Sequence, residues 1–279
     1  MAYRSANAAV QAELDRLSEL ATPDVLAEMK GAGVEIDEMM FRKIGNKHHS
    51  ITAIAKRWNA PHTTSQSLLF AATTVLWDRL CSDLFLWEAF AGEMSRGIEL
   101  IQQGQRREAV SSWLSAWERL QAHAVDTGIR DISVLDVQVP QNMLKEDLFS
   151  WVQDVEMELT NQVDEDADVA DTLLHYTESF METFPKSATP ILLNMKSAKA
   201  IALFVLGRAD EADAIYESIT KEYAEDAWTF IDWGDEYSPQ YRRNPSLVNP
   251  EKAKSIYERG LETATQDEDI LRERLALLS

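Results

Sequence analysis

Two carboxylates four residues apart, Asp154 and Glu158, form the sharpest chemical pattern in this chain of 279 residues. At that spacing both acids share one helical face, where a pair can move protons or hold a divalent cation. A di-iron bundle would add a carboxylate–histidine pair from other helices, and none accompanies them. They read as an acidic face, with Trp151, Val155 and Leu159 on another side of the same helix. His48 and His49 with His62 are a second candidate. Neighbouring helical residues diverge by about 100°, so adjacent histidines cannot chelate one ion as an i,i+4 pair would. No acid stands anywhere in 39–77 to complete such a site. Asp164, Glu165, Asp166, Asp168 and Asp171 suggest calcium, but an EF-hand loop needs glycine and glutamate where Val169 and His175 stand. Acids in that place suit the positive end of a helix instead. The single cysteine, Cys81, follows apolar Leu76 and Leu80 and reads as a buried structural thiol. Phosphate-loop, nucleophile-elbow and dinucleotide-binding glycine patterns are absent from the sequence. No catalytic residue, metal or cofactor is assigned.

Binding chemistry is better represented. Trp228, Asp232, Asp235 and Glu236 crowd one short segment, just before an insertion that carries Arg242 and Arg243. An aromatic ring beside carboxylates can receive a basic peptide by stacking and by charge. These six residues form the predicted partner-binding set, while Trp233, Gly234 and Tyr237 read as core. Arg42, Lys43, Lys47, Lys56 and Arg57 form a basic patch in a stretch without acids. The patch suits a phosphate, a nucleic acid, or the acidic segment from Glu146 to Pro185, which holds twelve acids and no lysine or arginine. With a net charge of −20, general affinity for nucleic acid is not expected, because phosphate contacts need a positive field.

The elements that must position these groups are legible from a repeat. Ala200, Leu203, Gly207, Ala212, Tyr216 and Ile219 lie at offsets 3, 7, 12, 16 and 19 from the first. Gly97, Leu100, Gly104, Ala109, Trp113 and Ala116 have the same offsets. A third copy starts at Gly234 and Tyr237, 34 residues after Ala200, and resumes at Ala253, Tyr257 and Gly260 after seven extra residues. Small residues let two helices approach while the aromatic fills the groove beside them. This period and spacing resemble helical hairpins of the tetratricopeptide type.

Further helices are expected near 5–20, 23–30, 37–44, 50–58 and 64–80, with Pro61 separating the last two. Others are expected near 143–163, 168–183, 190–206 and 266–278. Thr22, Thr189 and Asn249, each before a proline, read as N-caps. Residues 125–142 read as a long loop or short extended segment. The predicted fold is all-α: antiparallel helical hairpins of tetratricopeptide type stacked in an array, with an N-terminal helical region. The expected divisions are 1–82 (N-terminal helices), 83–125 (first hairpin), 126–142 (irregular connection) and 143–279 (C-terminal array).

The segments WLSAWERL (113–120), DLFSWVQDVEMEL (147–159) and WTFIDWGDEY (228–237) resemble the helical-repeat part of bacterial SEC-C-motif proteins. The resemblance implies a helical array. The family's C-terminal cysteine module, thought to bind zinc, has no counterpart in the cysteine content of this chain. The expected function is non-enzymatic: an adaptor that binds a protein or peptide with a basic or amphipathic segment on an acidic repeat surface. The alternatives are a metal-dependent enzyme at Asp154 and Glu158 or at His48 and His49, a nucleic-acid-associated protein at 42–57, and a homo-oligomeric scaffold. No run of eighteen apolar residues and no signal-peptide pattern occurs, so a cytoplasmic protein without a membrane span is expected.

Overall fold

The computed structural model describes residues 8–58 and 63–278, so Pro61 and His62 lie outside the described residues. Among the described residues there are fifteen α-helices, two short 3-10 turns and no strand. They divide into two compact units. One holds the residues up to Asp126 with Val137–Lys145, and the other holds Thr127–Asp136 with everything from Glu146 onward.

In the first unit, α1 (Ala8–Ser18), α2 (Thr22–Gly31), α3 (Glu38–His48) and α4 (Ile51–Arg57) all pack on α5 (Thr63–Leu80). That central position explains the apolar breadth of α5, whose Leu69, Ala72, Val75, Leu76 and Trp77 are buried. Cys81 is also buried, and desolvation pushes its thiol up to about 11. Asp37 and Ser50 cap α3 and α4 by accepting from the amides of Met40 and Ala53. The unit continues with α6 (Trp87–Gln102) and α7 (Arg106–Thr127). Gly104, at φ 75°, makes the left-handed turn between them.

The second unit runs through α8 (Ile132–Asp136), α9 (Leu148–Glu165), α10 (Ala170–Thr183), α11 (Thr189–Val205), α12 (Ala209–Glu222), α13 (Ala227–Asp235), α14 (Pro250–Thr263) and α15 (Glu268–Leu277). From α9 onward each helix packs on the next, so the interior is built from local neighbours. Gly207, also at φ 75°, turns α11 into α12 at the position that matches Gly104.

Three expectations need correction. The 125–142 stretch is not wholly irregular: Ile132 and Leu135 turn inward as the short helix α8. The Ile132 amide donates to Ser187 Oγ at 3.0 Å and the Lys186 amide to Arg130 O at 2.9 Å, which ties this stretch down. Thr22 and Thr189 are not N-caps, because Ala21 and Ala188 hold those places without a side-chain bond and proline sets the first turn instead. Asn249 does cap α14, accepting from Lys252 N at 3.1 Å. The helix expected from 143 starts only at Leu148, because Asp147 caps it by accepting from Ser150 N at 2.7 Å.

Candidate functional site

Helix α13 has a different neighbour on each side, and this decides which of its residues stay available. Toward α14 it presents Gly234 and Phe230. A Cβ at Gly234 would stand 2.2 Å from the Tyr257 ring, so only glycine admits the tyrosine. Toward α12 it presents Trp233 and Tyr237, buried as their core reading requires. Asp213 accepts from Trp233 Nε1 at 2.7 Å and from the Tyr237 hydroxyl at 2.9 Å, and it pairs with Lys252, whose ammonium sits 4.1 Å from the Tyr237 ring centre. Arg259 adds an ion pair to Glu217 at 2.9 Å, with its guanidinium 5.1 Å from the Trp233 ring centre. Toward α15, Asp235 accepts from Tyr257 at 2.7 Å and from Arg274 Nε at 3.0 Å. Trp228 Nε1 donates to Asp267 at 3.1 Å.

The remaining side carries Trp228, Asp232 and Glu236. Intervals of four residues place them in one row, each about 6 Å further along the axis. Asp226 starts the helix by accepting from Trp228 N, and Glu236 follows its last turn with helical backbone angles. Trp228 is 46% exposed and Glu236 only 1%. Asp232 is reached by solvent, yet protein crowds its carboxyl. Desolvation first, and repulsion from Asp235 second, push it up to about 6.

Glu236 is occupied from within the chain. Arg243, on the segment between α13 and α14, forms an ion pair with it and is itself largely shielded. The next residue, Asn244, donates its amide to Phe204 O at 3.1 Å, at the last turn of α11. Arg242 points out to solvent. Beside this cluster the fully buried Tyr216 hydroxyl finds no hydrogen-bond partner among the described residues, and Asp232, Glu236, Arg243 and Asp235 all act on it electrostatically.

Thus the predicted partner-binding residues do meet in one place, but they divide by role. Asp235 and Glu236 hold the structure together, Asp232 remains open, Trp228 is half-exposed with its indole N–H held by Asp267, and Arg243 sits on Glu236 instead of beside it. Sequence reasoning missed Asp213, Lys252, Asp267 and Arg274, and had Tyr257 only as a repeat-core aromatic. Their signal was periodic. Lys252–Asp213, Arg274–Asp235 and Trp228–Asp267 are each 39 residues apart, and Arg259–Glu217 are 42 apart, which brackets the 41-residue step from Ala212 to Ala253.

The other candidates are less organised. Asp154 and Glu158 share a helix but not a site. Glu158 is buried and accepts from Gln162 at 3.1 Å, whereas Asp154 bonds to Glu146 and helps burial raise that carboxyl to about 7. Between them, burial raises Glu156 to about 7 while Thr160 donates to it at 2.8 Å. In the basic patch, Arg42 is bound by Asp83 at 2.6 Å, and Arg57 lies 3.0 Å from His48. Burial, then Arg57, lowers the pKa of His48. His49 turns to Phe85 O at 3.1 Å, so the two histidines diverge as their spacing requires. Lys43, Lys47 and Lys56 are exposed, and Lys56 borders an open cleft of about 590 Å³ with Glu88, Gln141 and Asn142. Among the described residues no group of three or more His, Cys, Asp or Glu is placed to hold a metal, and no helix is long and apolar enough to cross a membrane. No protein family, curated protein or solved structure matches the chain.

Proposed function

We propose that the chain is a non-enzymatic adaptor whose second unit is built from hairpins of tetratricopeptide type and binds a basic peptide segment along α13. The observation that carries this reading is the row Trp228–Asp232–Glu236, in which one carboxylate is open and the next already holds an arginine. An aromatic ring and two carboxylates at steps of about 6 Å suit the alternate side chains of an extended segment, which recur at nearly that interval. Charge complementarity supplies orientation and rate, and it weakens with salt. The acidic balance of the chain, −20 overall, supports a basic partner and disfavours nucleic acid. The cytoplasm is the proposed location.

A labelled peptide with arginines at alternate positions tests the reading by fluorescence anisotropy. Asp232→Asn is expected to weaken binding a few-fold and Trp228→Ala by about fivefold or more, and added salt to weaken it further. Unchanged affinity in both variants would remove this face from consideration.

A further inference from the structure

The segment joining α13 to α14, residues 238–249 (SPQYRRNPSLVN), is long for a helical-hairpin turn and is tied down as a ligand would be. Four anchors are visible. Arg243 takes the buried Glu236 carboxylate. Asn244 Nδ2 donates to Phe204 O at 3.1 Å and Val205 O at 3.4 Å at the end of α11, where Phe204 O also accepts from Gly207 N. Tyr241 lies under the Arg274 guanidinium at 3.9 Å, and Gln240 Nε2 donates to Leu277 O at 3.0 Å. Most of these contacts join a side chain of the segment to a fixed helix terminus or to a charged group on a helix. None of them requires that the segment be covalently continuous with α13.

We infer that residues 240–244 of this segment are an internal stand-in for the partner: Arg243 occupies part of the acidic row of α13, and an external segment bearing arginine followed by a side-chain amide displaces them. The inference rests on the adaptor reading and names its partner more closely. Arginine rather than lysine is specified because the planar guanidinium can fork onto one carboxylate while remaining weakly hydrated. The amide is specified by the two Asn244 contacts at the end of α11, which an arginine alone does not reproduce. Displacement is favoured because the closed arrangement is not fully satisfied. Tyr216, fully buried and without a hydrogen-bond partner among the described residues, adjoins Glu236 and Arg243. A buried hydroxyl in that condition destabilises the closed arrangement, and a rearranged cluster that gives it a partner relieves this. The tether also raises the effective concentration of the internal segment, so the wild-type chain resists an external copy.

The probe is a synthetic twelve-residue peptide with the sequence of residues 238–249, labelled and titrated against the full chain. Wild-type protein is expected to bind it weakly. The double variant Arg243→Ala/Asn244→Ala is expected to bind it at least about tenfold more tightly, since the internal anchors no longer compete. A peptide with its second arginine changed to glutamine loses that gain, and so does the double variant carrying Glu236→Gln in addition. Arg243→Gln alone, a milder change, gives an intermediate gain and guards against a misfolded double variant. Equal affinity for wild type and both variants overturns the inference. If the alternating-arginine peptide still binds through Asp232 in that event, the adaptor reading stands without it. If neither peptide binds any form, both readings fall.

Discussion

The hairpin α6–α7 and the hairpin α13–α14 use one packing device for two ends. In the first, Gly97 admits Trp113 so closely that a Cβ would stand 2.1 Å from the indole nitrogen, and in the second Gly234 admits Tyr257 in the same way. The aromatic then needs a partner for its polar atom. Trp113 Nε1 donates to Met94 O at 3.0 Å, a backbone carbonyl on the same hairpin, and the connection ends there. Tyr257 donates instead to the Asp235 carboxylate, which Arg274 of α15 also holds. One lock is closed on itself, and the other is wired into charged groups that line the acidic face of α13. The same glycine–aromatic contact is therefore closed within two helices in one place and joined to charged groups in the other, with the difference set by which acceptor the aromatic finds.

The largest effects should come from the glycines, where the two hairpins ought to behave alike. Gly97→Ala and Gly234→Ala each force a bulky ring out of its seat. Overpacking of this kind costs roughly 1–3 kcal/mol, against a helix-propensity gain of about 1 kcal/mol for alanine. The ring contacts here are with the body of the side chain, so a net loss of about 2 kcal/mol is expected for each, read as a lower denaturation midpoint with an unchanged slope. The comparison breaks if either alanine is neutral. It sharpens if only Gly234→Ala also alters peptide binding, since only Tyr257 reaches the acids.

Such equivalence was largely readable from sequence, because the offsets of Gly97, Trp113, Gly234 and Tyr257 encode contact between neighbouring helices. The apolar face of α5 and the left-handed turns at Gly104 and Gly207 were legible for the same local reason. What sequence did not reveal was the use of polar groups. Asp235 and Glu236 look identical to Asp232 in a one-dimensional pattern, yet Arg274 and Arg243 neutralise them while Asp232 stays open. Those partners lie 7 residues away in one case and 39 in the other, so charge spacing within a single helix could not expose them. The short helix α8 escaped because two inward apolar residues, Ile132 and Leu135, are too few to establish a period.

The hydroxyl and indole deletions test the wiring itself, with a smaller effect. Tyr257→Phe removes the hydroxyl's bonds to Asp235 and Ser238, and Trp113→Phe removes the bond to Met94 O with part of a buried ring, so each is expected to lose roughly 1–2 kcal/mol near neutral pH. Their pH dependence should differ. Burial raises the Asp235 carboxyl and the Tyr257 hydrogen bond opposes that rise, so deleting the hydroxyl raises the folded-state pKa further. A carboxyl with a raised folded pKa binds its proton more tightly in the folded state, so its ionisation opposes folding. The extra loss in Tyr257→Phe should therefore be small below the unfolded value of about 4, grow as pH rises, and level off above the folded pKa. Trp113→Phe touches no carboxylate, and its loss should stay flat across the same window. Parallel curves from urea melts between pH 4 and 8 would show that Tyr257 is as isolated as Trp113.

The smallest expected effect belongs to Asp232, which anchors nothing and is available to a partner. Its carboxyl is pushed up to about 6, so it is mostly charged at pH 8 and mostly neutral at pH 5. A cationic segment should gain affinity as pH rises through that value, by a few-fold in total because the group is reached by solvent and partly screened. Glu146 and Glu156 are raised to about 7 and titrate in an overlapping window, so a pH trend in the wild type alone does not identify its source. Asp232→Asn separates them. Anisotropy titrations from pH 5 to 8 at constant ionic strength should lose their slope in that variant while the wild type keeps it. A slope that survives the substitution would move the pH response to Glu146 or Glu156 and remove the case for an open acid on α13 as the partner's first contact.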